Sequence, residues 1–539
     1  MKKVRVENLE TLREIQSDTK YVIDKGDYEI GVSQTHERFL YLSNNDGSVK
    51  RIAFLLENLK NVVMDFSGST LTFQGRITPF IIRDCVNVTL KNFTVAYDRP
   101  FFTCGKTLEH GGDYAKIRID SKKFPYRIEN GAMIAYGKYW EKSLAEGINL
   151  FIEIDNEHKQ PAYNTGIILP LIGNEVTRHP TPPIYQTVWR AEETGEEGVV
   201  ALYGDFSFLT GNNRFVITHE ERWNCVLAAI DSKDILLQDV TILESGAMGA
   251  LFQCCENVAL NGVIARARAD EAYLISTNCD ASHFVNCRGK VTLENCVFEN
   301  MMDDGGNFHG IYTVAKGKRE NTVIATLSHF QQHGVNVYKA GDIIEISSPD
   351  MQKRKEFTVQ SAQPLSPVEI LLTLDGDMDF IDEGYIVDNK TAFPEIHIKN
   401  CRTGNNRPRG FLLNSNKKTV VEGCTFYNSD VGIAISGDNS YWFEATGVRD
   451  VTIKNNVFDN CGYHCSNYAM FVRAEIKANP KIPDYHRGIN VKNNLFKTFS
   501  GGCAYVANCM DFTFENNVVE KTADFPERSL HAPVEYGEK

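Results

Sequence analysis

The sequence predicts an all-β fold: a right-handed parallel β-helix with two inserted small β-barrel-like domains. Three observations carry the prediction. A short motif, Val/Ile-x-apolar-polar-Asn/Gly-Asn/Cys-x-apolar, recurs along the chain. Its neighbouring copies lie 23 to 26 residues apart. Two intervals between copies are far too long for one coil.

Within each copy the apolar residues alternate, as a strand with one buried face requires. The Asn or Gly that follows can adopt the left-handed conformation that turns a corner. Residues 1–97 are the N-terminal part of the helix, with the copy at Asn87-Val88-Thr89-Leu90-Lys91-Asn92. Residues 98–221 form a first inserted β domain, with strand-like runs such as Tyr114 to Ile119. The helix resumes over 222–311, where Ile235 and Val258 mark consecutive copies. A second insertion occupies 312–393, with the run Ile343 to Ile346. Copies at Ile396, Thr419, Val451 and Phe512 define a C-terminal part over 394–521, and 522–539 loses the pattern and reads as a loosely ordered tail. A period near 23 is too long for hexapeptide coils and suits coils of about three short strands. A β-sandwich would not keep its strands in a common sequence register.

At 539 residues the chain exceeds a single compact core. Net charge is −13 with no basic stripe, which excludes nucleic acid and anionic membranes as natural partners. No stretch approaches the ~18 to 20 apolar residues of a membrane span. Met1-Lys2-Lys3-Val4 opens without an apolar h-region. No signal peptide is visible, and the compartment stays open between cytoplasm and a secreted form with its leader removed. Of fourteen cysteines, Cys296, Cys401 and Cys424 share one repeat position. A ladder of small buried thiols is expected there rather than disulfides. No CxxC pair recurs at zinc spacing, so neither structural metal nor cofactor is expected.

Asp280 and the pair Asp303-Asp304 stand 23 and 24 residues apart, one period of the repeat. Adjacent coils lie ~4.8 Å apart, so the three carboxylates should meet on one wall. Like charges held this close push one pKa upward and supply a protonated acid beside an ionised base. Glycoside hydrolysis uses that division. Turn caps or a calcium site are the structural alternatives. A regular strand would send neighbouring Asp303 and Asp304 to opposite faces, so a bulge or turn at Gly305-Gly306 is expected. Asn278, His283, Asn307 and His309 surround the cluster. Arg409, Asn414 and the segment carrying Asp438, Trp442 and Glu444 should fall on the same face a few turns along. Amide, carboxylate and Arg groups suit sugar hydroxyls, and Trp442 suits the apolar face of galactose, so these nine are the expected substrate-binding residues.

The run Ser276 to Cys287, with Glu294 to Asn300 and Met302-Asp303-Asp304-Gly305-Gly306-Asn307-Phe308-His309-Gly310, resembles glycoside hydrolase family 110. The resemblance extends to Tyr41-Leu42-Ser43-Asn44, to Gly75 to Pro79 and to Asp438 to Glu444, and covers most of the chain. It implies an exo-acting, metal-independent α-1,3-galactosidase of blood group B type that inverts configuration. Its two inserted β domains are those found in this family. The implied substrate is a galactose-terminated oligosaccharide or glycoconjugate, branched or linear, and homodimer formation is left open. By resemblance Asp280, Asp303 and Asp304 are the catalytic carboxylates, with Asp303 as general acid and Asp280 with Asp304 activating water. The chain departs from secreted family members in showing no leader.

A polygalacturonase-like β-helix hydrolase is the nearest alternative. Those enzymes place a His-Gly element one coil beyond the Asp-Asp pair, whereas His309-Gly310 follows Asp304 closely, and their Arg-Ile-Lys carboxylate clamp is missing as a motif. A calcium-dependent lyase and a non-catalytic carbohydrate-binding β-helix are the other two alternatives.

Overall fold

The computed structural model describes all residues except 10–11, 13, 145–148, 166–170, 173–185, 188–189, 220–221, 465, 478–480, 528 and 538–539. Its backbone is a parallel β-helix, and the repeated motif sets the register. Val88 pairs with Ile235, Ile235 with Val258, Val258 with Val291, and Val291 with Ile396. The row continues through Thr419, Val451, Ile489 and Phe512. Both long intervals are thus bridged by direct strand pairing, and the inserted residues are looped out between consecutive coils.

Each coil turns where the motif places its Asn, Asp or Gly. Asn92, Asp239, Gly262, Asn295, Asn400, Gly423, Asn455, Asn493 and Asn516 all have φ between 52° and 67°. A short polar side chain, or none, tolerates that conformation best. One residue further, the chain points inward. Buried Cys296, Cys401 and Cys424 stack there, followed by Asn456, Asn494 and Asn517. In the amide part, the backbone N–H of Asn456 donates to the Asn494 Oδ1, and that of Asn494 to the Asn517 Oδ1, each at 2.9 Å. All thirteen described cysteines are free thiols. Phe252, Phe284 and Phe308 fill the interior as a stack with centroids 5.0 and 4.5 Å apart.

The first insertion carries a six-stranded antiparallel sheet in the order 151–154, 214–218, 102–110, 114–119, 199–203, 190–193, beside a three-stranded meander over 126–143. The second is a closed six-stranded antiparallel barrel. Its strands Gly306–Arg319, Thr322–Thr326, Glu369–Leu374, Arg354–Pro364, Ile343–Ser347 and Ile386–Asn389 pair in that cyclic order. Gly306–Arg319 belongs to both bodies, pairing with Phe411–Leu413 of the helix before it enters the barrel.

The tail corrects the sequence reading, which took it as loosely ordered. Val534–Tyr536 adds a parallel strand to Ala504–Val506. Phe525 stacks on Tyr163 and Tyr463, with centroids 5.5 and 4.8 Å away. Its partners lie in the first insertion and on an earlier coil, which is why the repeat pattern gave no sign of it. Among the described residues no helix is long and apolar enough to cross a membrane.

Candidate active site

The strands Ser282–Val285 and Gly306–Arg319 are parallel neighbours, with Ser282 opposite Gly306 and His283 opposite Asn307. Asp280 and Asp304 therefore occupy equivalent positions just ahead of their strands. The Ala281 N–H donates to the Asp304 carbonyl at 2.9 Å, and the Gly305 N–H to the Arg409 carbonyl at 3.1 Å. Asp280, Asp304 and Arg409 thus form one column on three successive coils. The second barrel leaves the chain between Asp304 and Arg409, so Arg409 sits on the very next coil rather than a few turns away. Asp303 and Asp304 lie in a bend that ends where the strand begins at Gly306, so strand alternation does not separate them. A Cβ on Gly305 would stand 2.7 Å from the Gly410 carbonyl oxygen, which favours glycine at this close approach.

One oxygen from each of Asp280, Asp303 and Asp304 lies within 4.8 Å of the others. Such a set could close on a cation, but positive charge is already built in. Arg409 Nε donates to Asp304 Oδ1 at 2.8 Å, and Arg222 donates to Asp303 Oδ2 at 3.0 Å. Asp304 Oδ2 is buried without a hydrogen-bond partner. Asp280 and Asp304 are both buried, whereas the Asp303 side chain is 18% and that of Arg409 30% exposed, so the cluster opens to solvent past these two. Burial, reinforced by Asp303, holds the Asp280 carboxyl well above the usual carboxylate range. Burial likewise raises Asp304 despite the opposing Arg409 guanidinium. Arg409 is itself desolvated, yet Asp304 and Asp303 keep its pKa raised.

A hydrogen-bonded chain runs outward from Asp280. Its Oδ2 lies 2.6 Å from His283 Nδ1, His283 Nε2 lies 2.9 Å from His309 Nε2, and His309 Nδ1 lies 2.7 Å from the Gly310 carbonyl oxygen. A carbonyl only accepts, so His309 Nδ1 carries a proton. If both rings are neutral, His309 Nε2 accepts from His283 Nε2, His283 Nδ1 accepts from Asp280, and Asp280 is a carboxylic acid. Otherwise one ring is a cation and Asp280 an anion. Either way the chain holds one proton more than a carboxylate with two neutral imidazoles. Burial and the neighbouring His309 depress His283 well below its usual pKa, which favours the neutral arrangement. Glu444 stands at the far end, its Oε1 3.6 Å from His309 Nε2 and accepting from Asn44 Nδ2 at 3.1 Å. Burial opposes its charge, but His309 and His283 when protonated, with Arg409 and the Asn44 hydrogen bond, lower its pKa.

This geometry revises several expected roles. His283 and His309 spend their ring nitrogens on each other, Asp280 and a carbonyl, so they do not serve as free sugar ligands. The Asp438 carboxylate accepts from the backbone N–H groups of Ser440, Tyr441 and Trp442 and from the Ser440 hydroxyl, and thereby fixes the loop that carries Trp442. The Trp442 ring is in contact with the Arg222 guanidinium, 5.1 Å from its centroid, and with His329 at 4.7 Å. It backs the cation that holds Asp303, so less of the ring is left for a sugar than expected. Asn278 donates to the Phe101 carbonyl at the root of the first insertion. Asn307 Oδ1 and Asn414 Nδ2 are buried without a hydrogen-bond partner. Sequence reasoning missed Arg222, which precedes the first resumed copy and carries no repeat signature. It also assigned no role to Asn44, although Tyr41 to Asn44 stood out by resemblance. The second barrel contributes to the rim: Gln332 Nε2 donates to the Trp442 carbonyl at 2.7 Å, and the Asn44 N–H to the Gln331 carbonyl at 2.7 Å. A hollow of about 610 Å³, lined by Phe471, Arg473 and Tyr505 among others, lies further along the same sheet and includes none of the grouped carboxylates.

Three family models match this chain: GLAA-B beta-barrel domain I over residues 105–211, GLAA-B beta-barrel domain II over 322–379, and a right handed beta helix region over 382–519. Among curated proteins, alpha-1,3-galactosidase A of Shewanella woodyi is 29% identical over 535 residues, covering 96% of this chain and 83% of its own length. Alpha-1,3-galactosidase B of Bacteroides thetaiotaomicron is 27% identical over 516 residues, covering 92% and 80%. Alpha-1,3-galactosidase B of Phocaeicola vulgatus is 28% identical over 554 residues, covering 94% and 84%.

Proposed function

We propose that this chain, which belongs with the α-1,3-galactosidases of glycoside hydrolase family 110, removes terminal α-1,3-linked galactose from glycans. The observation that carries the reading is the column of Asp280 and Asp304 with the partly exposed Asp303 beside it, three carboxylates gathered within 4.8 Å of one another. In this mechanism Asp303, the most accessible of the three, is the general acid that protonates the departing glycosidic oxygen. Asp280 and Asp304 activate the water, and the arginines limit the cost of gathering three acids. Arg222 and Arg409 are already paired with carboxylates rather than left to hold a uronic acid, which favours a neutral sugar. Asn307 and Asn414 supply amide groups for its hydroxyls. Contacts among the second barrel, the Asn44 segment and the Trp442 loop support a site closed on one side, which suits exo action on a chain end.

A panel of α-1,3-, α-1,4- and α-1,6-linked galactosides tests activity and linkage together. Release of galactose from the α-1,3 disaccharide alone, or far above the others, is expected. Cleavage of polygalacturonate with no action on any galactoside would overturn the proposal. Inclusion of fucosylated and unfucosylated α-1,3-galactosides in the same panel distinguishes branched blood group B from linear substrates.

A further inference from the structure

We infer that Asp280, His283, His309 and Glu444 form a one-proton relay that lets a neutral Asp280 act as the base. The inference rests on the galactosidase reading and adds what it lacks, since a carboxylic acid cannot take a proton from water without giving up its own. The geometry provides for both events. Asp280 Oδ1 accepts from the Asp304 N–H at 3.1 Å and is thus turned toward Asp304, while Oδ2 faces His283 at 2.6 Å. As the attacking water loses a proton to Asp280 Oδ1, the Oδ2 proton passes to His283 Nδ1, and the His283 Nε2 proton passes to His309 Nε2. One water O–H bond breaks and one Asp280 O–H bond forms. Each later transfer also breaks one bond to hydrogen and makes another, and no electrons are exchanged between groups. The net result is a positive charge on His309, whose Nδ1–H goes on donating to the Gly310 carbonyl.

Glu444 makes that end state affordable. It is buried, oriented by Asn44, and its Oε1 is 3.6 Å from the nitrogen that receives the proton. The charged groups facing the chain from other elements are Arg222 and Asp303, Asp304 and Arg409, which pair with one another and leave Glu444 as the unmatched anion beside the rings. The two imidazole planes are 83° apart, a twist that an in-line nitrogen-to-nitrogen hydrogen bond permits. Glu444 and His309 are therefore positioning residues that act through Asp280, not sugar ligands.

The relay makes a signed prediction for Glu444→Gln, which keeps the shape and the Asn44 contact but removes the anion. Below a certain pH the relay is already full and cannot accept the water proton, so activity falls on the acidic side. Glu444 raises that pH by favouring the protonated ring. In Glu444→Gln, kcat on Galα1-3Gal is expected to fall at least tenfold with KM changed less than twofold. The acidic limb of kcat/KM should also move to lower pH by a unit or more. His309→Gln, which cannot take up the proton, should lose kcat to a similar degree, and circular dichroism confirms that each variant is folded. An acidic limb at the wild-type pH in Glu444→Gln, or a rise in KM with kcat intact, overturns the relay and makes Glu444 a sugar ligand. Wild-type protein inactive on Galα1-3Gal would instead sink the underlying galactosidase reading.

Discussion

Arg409 and Asp304 are 105 positions apart in sequence and 2.8 Å apart in space. The whole second barrel leaves and returns between them, and the helix resumes as if it were not there. Arg409→Met would strand a buried carboxylate, at a cost of about 3 kcal/mol at neutral pH. The loss should shrink in acid as Asp304 takes up a proton, and Arg409→Met/Asp304→Asn should recover most of it. Urea unfolding at pH 5 and pH 8 checks this; equal losses at both would mean the pair contributes only packing.

Asp303 as general acid predicts a dependence on the leaving group. General acid catalysis is worth roughly 10² to 10⁴ in rate, but p-nitrophenolate departs without a proton. Asp303→Asn should therefore lose far more kcat on Galα1-3Gal than on p-nitrophenyl α-galactoside. Equal losses on both would move the acid role to Asp280 or Asp304.

Asp280 has a folded pKa raised above its unfolded one by burial and by Asp303. Its contribution to stability is complete below the ordinary carboxylate range and is lost as pH rises through the raised value. Asn at this position can donate to His283 and accept from the Asp304 N–H as the neutral acid does. Asp280→Asn should be inactive, with a Tm that gains on wild type from pH 5 to pH 9. A wild type that gains on the variant over that range would mean Asp280 is ionised at rest.

The asparagine ladder is a stability element remote from the chemistry. Asn494 Nδ2 donates to the Ile453 carbonyl and to Asn517 Oδ1, each at 3.0 Å, and its Oδ1 accepts from the Asn456 N–H. Asn494→Ala leaves these buried groups unpaired, and about 3 kcal/mol is expected. Urea unfolding measures it, with kcat unchanged in the folded variant.

Stereochemistry is checked separately, because the nearest carboxylate oxygens, within 4.8 Å, are closer than the ~6.5 to 9.5 Å usual for an inverting pair. Inversion is an expectation from the family resemblance. Proton NMR should show β-galactose as the first product; initial α-galactose would make one aspartate a nucleophile.

Sequence alone determined the coil. Alternating apolar residues, a corner residue able to take positive φ and a constant period leave a polypeptide few ways to bury its repeats, so the stacking of Val88, Ile235, Val258 and Val291 was legible before any coordinates. The pairing of Asp280 with Asp304 followed from the same period. Only the tertiary structure decided what surrounds them. Arg222 comes from the edge of one insertion, Gln332 from the other and Asn44 from near the N-terminus, and none has a repeat position to announce it. The histidines that looked like sugar ligands became a proton chain for the same reason. A period fixes which residues are neighbours along a sheet, but the direction of each side chain's hydrogen bond depends on partners brought in from distant parts of the chain.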